Sequence, residues 1–270
     1  MRVLKRIIFI GLLLQFTLPA SAELRIEITK GVDNAVRVAV VPFAWRGKRK
    51  PPIDVSDVVS SDLGLSGRFE ALPTSQMLSF PNDSSEVLPR DWRMLGVEYL
   101  VVGYLEPREV SVRLHFELYS VLRQTVVAKQ TIDGLPMDLR DMAHHVSDVV
   151  FDELTGIKGA FSTQIMYVTA MDDDQGRHFA LNIADADGYR VRKVLESIEP
   201  ILSATWSPDG KMVAYVSFEQ DGRPAIYLHE VITGNRQILT SFAGLNGAPS
   251  FSPDGKEMAL VLSKDGNPDI

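Results

Sequence analysis

The sequence contains no cysteine, which excludes disulfide bonds and also the lipid-modified cysteine of a bacterial lipoprotein. The fold must therefore be stabilised by hydrophobic cores, and a chain of 270 residues is long enough to bury two of them. Beyond the N-terminus, no apolar run reaches the roughly 20 residues that a membrane-spanning helix needs. We therefore expect no direct insertion of the mature chain into a membrane.

Motifs that carry catalysis are also missing from the sequence. It has no G-x-S-x-G nucleophile motif and no glycine-rich phosphate-binding loop. Of the five histidines, His144 and His145 are adjacent on a predicted helix, so they point about 100° apart. We assign both to a solvated, charged face of that helix. The other three have no second ligand at a metal-binding spacing, so we expect no enzyme, no metal and no cofactor.

Two aspartate-rich segments, residues 172–176 and 185–188, are only weakly similar to calcium-binding loops. Neither has the glutamate that completes an EF-hand loop at its twelfth position. Both fall between predicted strands, where aspartate and glycine are ordinary turn residues. We therefore interpret both segments as turns.

The sequence has fewer basic than acidic residues, 28 against 35. The net charge is −7, and removal of Arg2, Lys5 and Arg6 with a signal peptide lowers it to −10. An acidic surface disfavours nucleic acid and anionic membranes as partners.

The N-terminus has the pattern of a cleavable secretory signal. Arg2, Lys5 and Arg6 precede an apolar run over residues 7–18, which is shorter than the length that a membrane-spanning helix needs. The run is followed by Ala20-Ser21-Ala22, an A-x-A site for signal peptidase. We predict that residues 1–22 are removed after Ala22 and that the mature protein enters the periplasm.

Residues 23–158 predict an N-terminal α/β domain. Residues 24–29, 99–103, 112–118 and 125–131 have the pattern of strands, and the more continuous apolar run at 37–41 predicts an interior strand. Helical periodicity begins at Val55, where Asp54 is the predicted cap, and recurs over residues 138–154 before Gly156. By its alternation alone, segment 24–29 fits the first strand of this sheet or a strand that binds a partner.

Residues 159–270 have a different pattern, with short strands separated by Asp-Gly turns. Trp206-Ser-Pro-Asp-Gly-Lys211 recurs as Phe251-Ser-Pro-Asp-Gly-Lys256, at an offset of 45 residues. Repeats of this length made of short strands are typical of propeller blades. Propellers close with about four to eight blades, so we expect this all-β propeller to be incomplete and the natural chain to continue beyond Ile270.

These motifs together resemble the TolB family, the periplasmic component of the Tol–Pal system of Gram-negative bacteria. The resemblance extends over the mature chain, and its most specific motif is the junction Leu154-Thr-Gly-Ile-Lys-Gly-Ala-Phe161. It implies an α/β domain followed by a six-bladed propeller, of which only the first blades are present here. The family's role is that of an adaptor between the inner-membrane protein TolA and the lipoprotein Pal, which supports outer-membrane integrity and constriction during cell division.

The resemblance also implies two partner-binding sites. A TolA-like protein would bind the mature N-terminal segment, which here consists of Glu23, Leu24, Arg25, Ile26, Glu27, Ile28, Thr29, Lys30, Gly31, Val32 and Asp33. A Pal-like lipoprotein would bind the propeller at Leu202, Leu245, Asn246, Gly247 and Ala248. Many family members have histidine where this chain has Leu245.

Two alternative functions remain open from the sequence. The repeats would also suit the propeller portion of a prolyl-oligopeptidase-like serine peptidase, whose hydrolase domain would carry G-x-S-x-G outside these residues. They would equally suit a propeller that binds a small ligand in its channel through polar residues from several blades.

Overall fold

The computed structural model describes residues 35–48, 51–174 and 176–270. The predicted signal peptide at 1–22, the predicted strand at 24–29 and the proposed TolA-binding segment at 23–33 lie outside these residues. Within them, the expected fold class is confirmed: an α/β domain precedes a series of antiparallel propeller sheets.

The N-terminal domain is built on one mixed sheet. Its strands are β1 (Val36–Val40), β2 (Ala44–Trp45), β3 (Phe69–Ala71), β4 (Tyr99–Pro107), β5 (Val112–Ser120) and β6 (Thr125–Gly134). They lie in the order β3-β1-β4-β5-β6, and β2 pairs with β4. β1 is parallel to both of its neighbours, whereas β4, β5 and β6 form an antiparallel meander. The interior position predicted for β1 from its continuous apolar run is therefore correct.

Hydrophobic cores lie on both faces of this sheet. Helices α1 (Val55–Leu65) and α3 (Leu139–Thr155) pack against each other and against one face. Around Trp92 of the short helix α2 (Pro89–Met94), a second core covers the other face. Single 3₁₀ turns lie at Thr74–Gln76, Ser84–Glu86 and Pro136–Asp138. Asp54 caps α1 as predicted, because its carboxylate accepts hydrogen bonds from the backbone N–H groups of Ser56 and Asp57.

The propeller part contains three antiparallel sheets. The first consists of β7 (Gln164–Asp173), β8 (Gly176–Asp185) and β9 (Arg192–Ser197). The second consists of β10 (Ile201–Trp206), β11 (Met212–Gln220), β12 (Arg223–Glu230) and β13 (Arg236–Thr240), and the third of β14 (Asn246–Phe251) and β15 (Met258–Leu262). The first two sheets share a core against which Trp206 packs, so the repeat aromatic contributes to packing between blades.

The repeated Ser-Pro-Asp-Gly motif forms the same turn twice. Ser207 Oγ donates to Asp209 Oδ1 at 2.6 Å, and Ser252 Oγ donates to Asp254 Oδ1 at 2.7 Å. The motif therefore has a structural role in both repeats.

A glycine inside a helix and a glycine at a helix end should respond in opposite directions to substitution by alanine. Gly156 ends α3 with φ +68°, a left-handed conformation that L-residues disfavour. Gly156→Ala should lower the free energy of unfolding by about 1 kcal/mol. Gly64→Ala should raise it by about 0.5 to 1 kcal/mol, because Gly64 is helical and an added Cβ would meet no atom within 4 Å. Urea denaturation of both variants tests this, and a loss of stability in both would contradict it.

Candidate functional site

The chain passes from α3 into β7 through a short junction segment, residues 156–163. The carboxylate of Asp148, on α3, accepts hydrogen bonds from the backbone N–H groups of Phe161 at 2.7 Å and Ser162 at 3.2 Å. Gly159 lies so close to Asp148 that an added Cβ would be 2.5 Å from the Asp148 Cα atom. The Phe161 ring packs edge-on against Phe151. These contacts explain why this part of the sequence is so distinctive.

Beside this segment, a set of charged side chains joins the two domains. We call it the junction cluster: Asp62 of α1, Arg140, Asp141 and His144 of α3, and Asp185, Asp187 and Arg190 of the first blade. Arg140 donates from Nε to Asp185 Oδ2 at 3.1 Å and from Nη2 to Asp187 Oδ2. Arg190 donates to Asp185 Oδ2 at 2.7 Å and also to Asp141. The cluster therefore crosses the domain boundary through several ion pairs.

His144 lies at the centre of the cluster, and its side chain is only 2% exposed. Its Nδ1 lies 2.8 Å from Asp62 Oδ2, which also accepts a hydrogen bond from the Ser147 hydroxyl at 2.7 Å. Burial alone would lower the pKa of His144, but the hydrogen bond to Asp62 and the charges of Asp62 and Asp187 outweigh it and raise the pKa. The prediction that His144 belongs to a solvated face is therefore wrong.

The sequence did contain a signal for this cluster. Asp62 falls on the apolar stripe of α1, three residues after Val59 and next to Leu63, and a carboxylate placed there needs a buried partner. His145 is exposed as predicted, and it contacts Gln130. The segment 185–188 does form a turn. The side chains of Asp185 and Asp187, however, are only 3% and 6% exposed and belong to the junction cluster, so the interpretation as a turn alone is incomplete.

The residues predicted to bind a Pal-like partner lie at the N-terminal ends of two strands, β10 and β14, in neighbouring sheets. Leu202 is 50% exposed in β10, and Leu245 is 43% exposed just before β14. β14 packs against β10. Ala248 is also exposed, whereas Asn246 and Gly247 are buried. The Asn246 side chain bonds to both the N–H and the C=O of Phe242, so it stabilises its own loop. We call Leu202, Ser203, Leu245 and Ala248 the bulge face.

Both strands of the bulge face contain an irregularity that the sequence did not reveal. Ser203 has φ +50° and Ala248 has φ +47°, at the same 45-residue spacing as the repeated turn motif. The strand register shifts at these points in both β10 and β14. Neither residue is glycine, the usual sign of a left-handed position, so the pattern was not visible. The bulge alters how adjacent side chains are presented.

Among the helices of the described residues, none is both long and apolar enough to cross a membrane.

Taken together, the fold and its junction define a two-domain protein in which an α/β domain is attached to the first blades of a β-propeller. Family models match in the same order: the TolB amino-terminal domain over residues 24–127 and the TolB beta propeller domain over residues 151–270. The chain belongs to the TolB family. This confirms the resemblance drawn from the sequence motifs.

Individual relatives agree with this assignment. The Tol-Pal system protein TolB of Alcanivorax borkumensis is 47% identical over 248 residues, covering 92% of this chain and 56% of the relative. Its counterpart in Marinomonas sp. is 49% identical over 235 residues, 86% of this chain and 54% of the relative. The crystal structure of TolB from Acinetobacter baumannii matches with a TM-score of 0.77 at 39% identity, covering 90% of this chain and 58% of that one.

The chain thus spans about half the length of the curated relatives that it matches. These relatives are components of a Tol–Pal system, a non-enzymatic role, which agrees with the prediction that the chain is not an enzyme. The peptidase alternative gains no support, because both matched family models are TolB domains.

Removal of the buried carboxylate at the centre of the cluster should be costly. Asp62→Ala leaves the Nδ1 of His144 and the hydroxyl of Ser147 buried without their acceptor. Breaking a buried pair in this way costs about 3 to 5 kcal/mol. Asp57→Ala, on the exposed face of the same helix, should change stability by less than about 0.5 kcal/mol. Thermal and urea unfolding of both variants measure the difference, and equal effects would show that the pairing of Asp62 contributes little.

Proposed function

We propose that this protein is a periplasmic adaptor of the Tol–Pal type, exported by residues 1–22 and cleaved after Ala22. Its N-terminal segment binds a TolA-like inner-membrane protein, and its propeller binds a Pal-like lipoprotein. Through both contacts it supports outer-membrane integrity and constriction at division. The observation that carries the proposal is the ordered match of both TolB domains to one chain.

The proposed TolA-binding segment is residues 23–33, whose sequence suits strand addition to an open sheet edge. Leu24, Ile26 and Ile28 alternate with Arg25, Glu27 and Thr29. In such a complex the backbone hydrogen bonds provide affinity, and alternate side chains provide specificity. Among the described residues, β1 pairs on both sides, with β3 and with β4. A binding role for the segment leaves these pairings unchanged.

Deletion of residues 23–31 should abolish capture of a purified TolA-like domain while the N-terminal domain stays folded and Pal capture persists. A sharper comparison replaces Leu24, Ile26 and Ile28 with serine in one variant, and Arg25, Glu27 and Thr29 with serine in another. If one face carries specificity, the two triple variants should differ by about tenfold or more in dissociation constant, since about 1.4 kcal/mol corresponds to tenfold. Calorimetry measures the affinities, and circular dichroism checks the fold. Unfolding on deletion would assign the segment to the structure of the domain.

The proposed Pal-binding surface is the bulge face. Two of its members, Leu202 and Leu245, are large apolar side chains that stand half exposed at the start of neighbouring strands. Exposed apolar side chains at the ends of adjacent blades suit an anchor on a partner protein. Asn246 and Gly247 are buried at the start of β14, directly after Leu245, and the Asn246 side chain accepts a hydrogen bond from the Phe242 N–H of the preceding loop.

Leu245→Lys should weaken capture of a Pal-like lipoprotein domain about tenfold or more, because a desolvated apolar contact becomes a buried charge. Ile232→Lys is the matched control, since Ile232 is 81% exposed on a turn elsewhere in the propeller. Both variants should keep the melting temperature of the parent protein. Ala248→Val is less informative, because a β-branched residue is strained at φ +47° and would also lower stability. If the two lysine variants lose equal affinity, Pal binds elsewhere.

A further inference from the structure

One ring nitrogen of the buried His144, Nε2, has no hydrogen-bond partner among the described residues. Its Nδ1 faces the carboxylate of Asp62 and therefore carries a proton, so in the neutral form of the ring the lone pair is on Nε2. Nε2 is buried and faces Asp185 Oδ2 at 3.9 Å and Asp187 Oδ2 at 4.0 Å. A lone pair aimed at two carboxylates is unfavourable unless something positive lies between them.

The charges around the gap between His144 Nε2 and the carboxylates of Asp185 and Asp187 also favour a bound cation. The cluster contains four carboxylates (Asp62, Asp141, Asp185 and Asp187) and two guanidinium groups, those of Arg140 and Arg190. The guanidinium groups pair with the last three carboxylates, whereas Asp62 pairs with His144. Beyond them, Lys158 lines the crevice on one side of the cluster, and Asp54 and Asp57 line the crevice on the other. With a neutral imidazole, the junction cluster itself carries two negative charges in excess. A divalent cation balances that excess, whereas a proton on Nε2 balances half of it.

The donor atoms are those that a transition ion prefers. One donor atom from each of Asp62, His144 and Asp187 lies within 4.8 Å of the others. Zinc binds imidazole nitrogen and carboxylate oxygen tetrahedrally with bonds of about 2.0 to 2.2 Å, so two of its ligand atoms lie about 3.3 to 3.6 Å apart. Nε2 lies 3.9 Å from Asp185 Oδ2 and 4.0 Å from Asp187 Oδ2. A bound ion would therefore draw these groups together by about half an ångström. A carboxylate on the second ring nitrogen, as Asp62 provides here, is the usual partner of a metal-binding histidine.

We propose that the junction cluster is a binding site for a divalent transition ion of the zinc type. His144 Nε2 and the carboxylate of Asp187 bind the ion, with Asp185 beside them, and Asp62 orients the imidazole. Because His144 belongs to α3 and Asp187 to the first blade, the bound ion links the two domains. Arg140 competes with the ion, since its guanidinium occupies the same oxygens of Asp185 and Asp187.

The test is calorimetric titration of the tag-free, chelator-treated protein with zinc chloride, together with metal analysis after gel filtration. The parent protein should bind one zinc ion per chain and unfold at a higher temperature when loaded. His144→Gln should weaken binding about tenfold or more, whereas His145→Gln, one residue away and exposed, should bind like the parent. Arg140→Gln should bind zinc more tightly, because the competing charge is gone. This opposite change keeps the test decisive even if His144→Gln folds poorly.

Three results would overturn the proposal. Equal uptake by the parent and a folded His144→Gln variant would place the zinc on other groups. An Arg140→Gln variant that binds no more tightly than the parent would place it away from Asp185 and Asp187. If the parent showed no saturable uptake, no zinc would bind at the cluster. The ¹⁵N shifts of the imidazole would then show whether Nε2 carries a proton or accepts a hydrogen bond from water.

Discussion

A carboxylate on the apolar face of α1 constrains much of this structure. Transfer of Asp62 from water into the core is costly unless strong hydrogen bonds replace its hydration. The hydroxyl of Ser147 and the Nδ1 of His144 provide them, and these two residues are three apart on the facing helix. The pairing holds α1 and α3 in one relative position. It also turns the other edge of the imidazole, together with Arg140, towards the acidic end of β8. Side chains of α3 therefore contact both the facing helix and the first blade.

In the propeller, two local features recur from one blade to the next: a hydrogen-bonded turn and a left-handed residue in the strand before it. Each Ser-Pro-Asp-Gly turn is stabilised from within by a serine hydroxyl bonded to its aspartate. Each preceding strand carries a non-glycine residue in the left-handed region, Ser203 in one blade and Ala248 in the next. Such residues are uncommon and cost free energy. Their recurrence at the same place in both blades indicates that the bulge belongs to the blade design, and it lies where the proposed Pal-binding side chains emerge.

Regular elements of the fold could be predicted from sequence, because local patterns determine them. The cap at Asp54, the helix end at Gly156 and the interior strand β1 all follow from residue type and periodicity. The short strands β2 and β3 could not be predicted, since two or three residues carry no period. His144 was misplaced because its partners come from segments far apart in sequence, and only the folded chain brings them together. The left-handed Ala248 was missed because it looks like any alanine.

The approach of Gly159 to Asp148 also has a mechanical consequence. The connection between the domains is short. Gly159 lies against Asp148, and Phe161 is held twice, through its backbone N–H by the Asp148 carboxylate and through its ring by Phe151. A connection held in this way cannot lengthen without breaking these contacts. A pulling force applied to the propeller would therefore be transmitted to α3, and the sheets would twist or tilt together. A long flexible linker would absorb the same load in its own stretching before either domain moved.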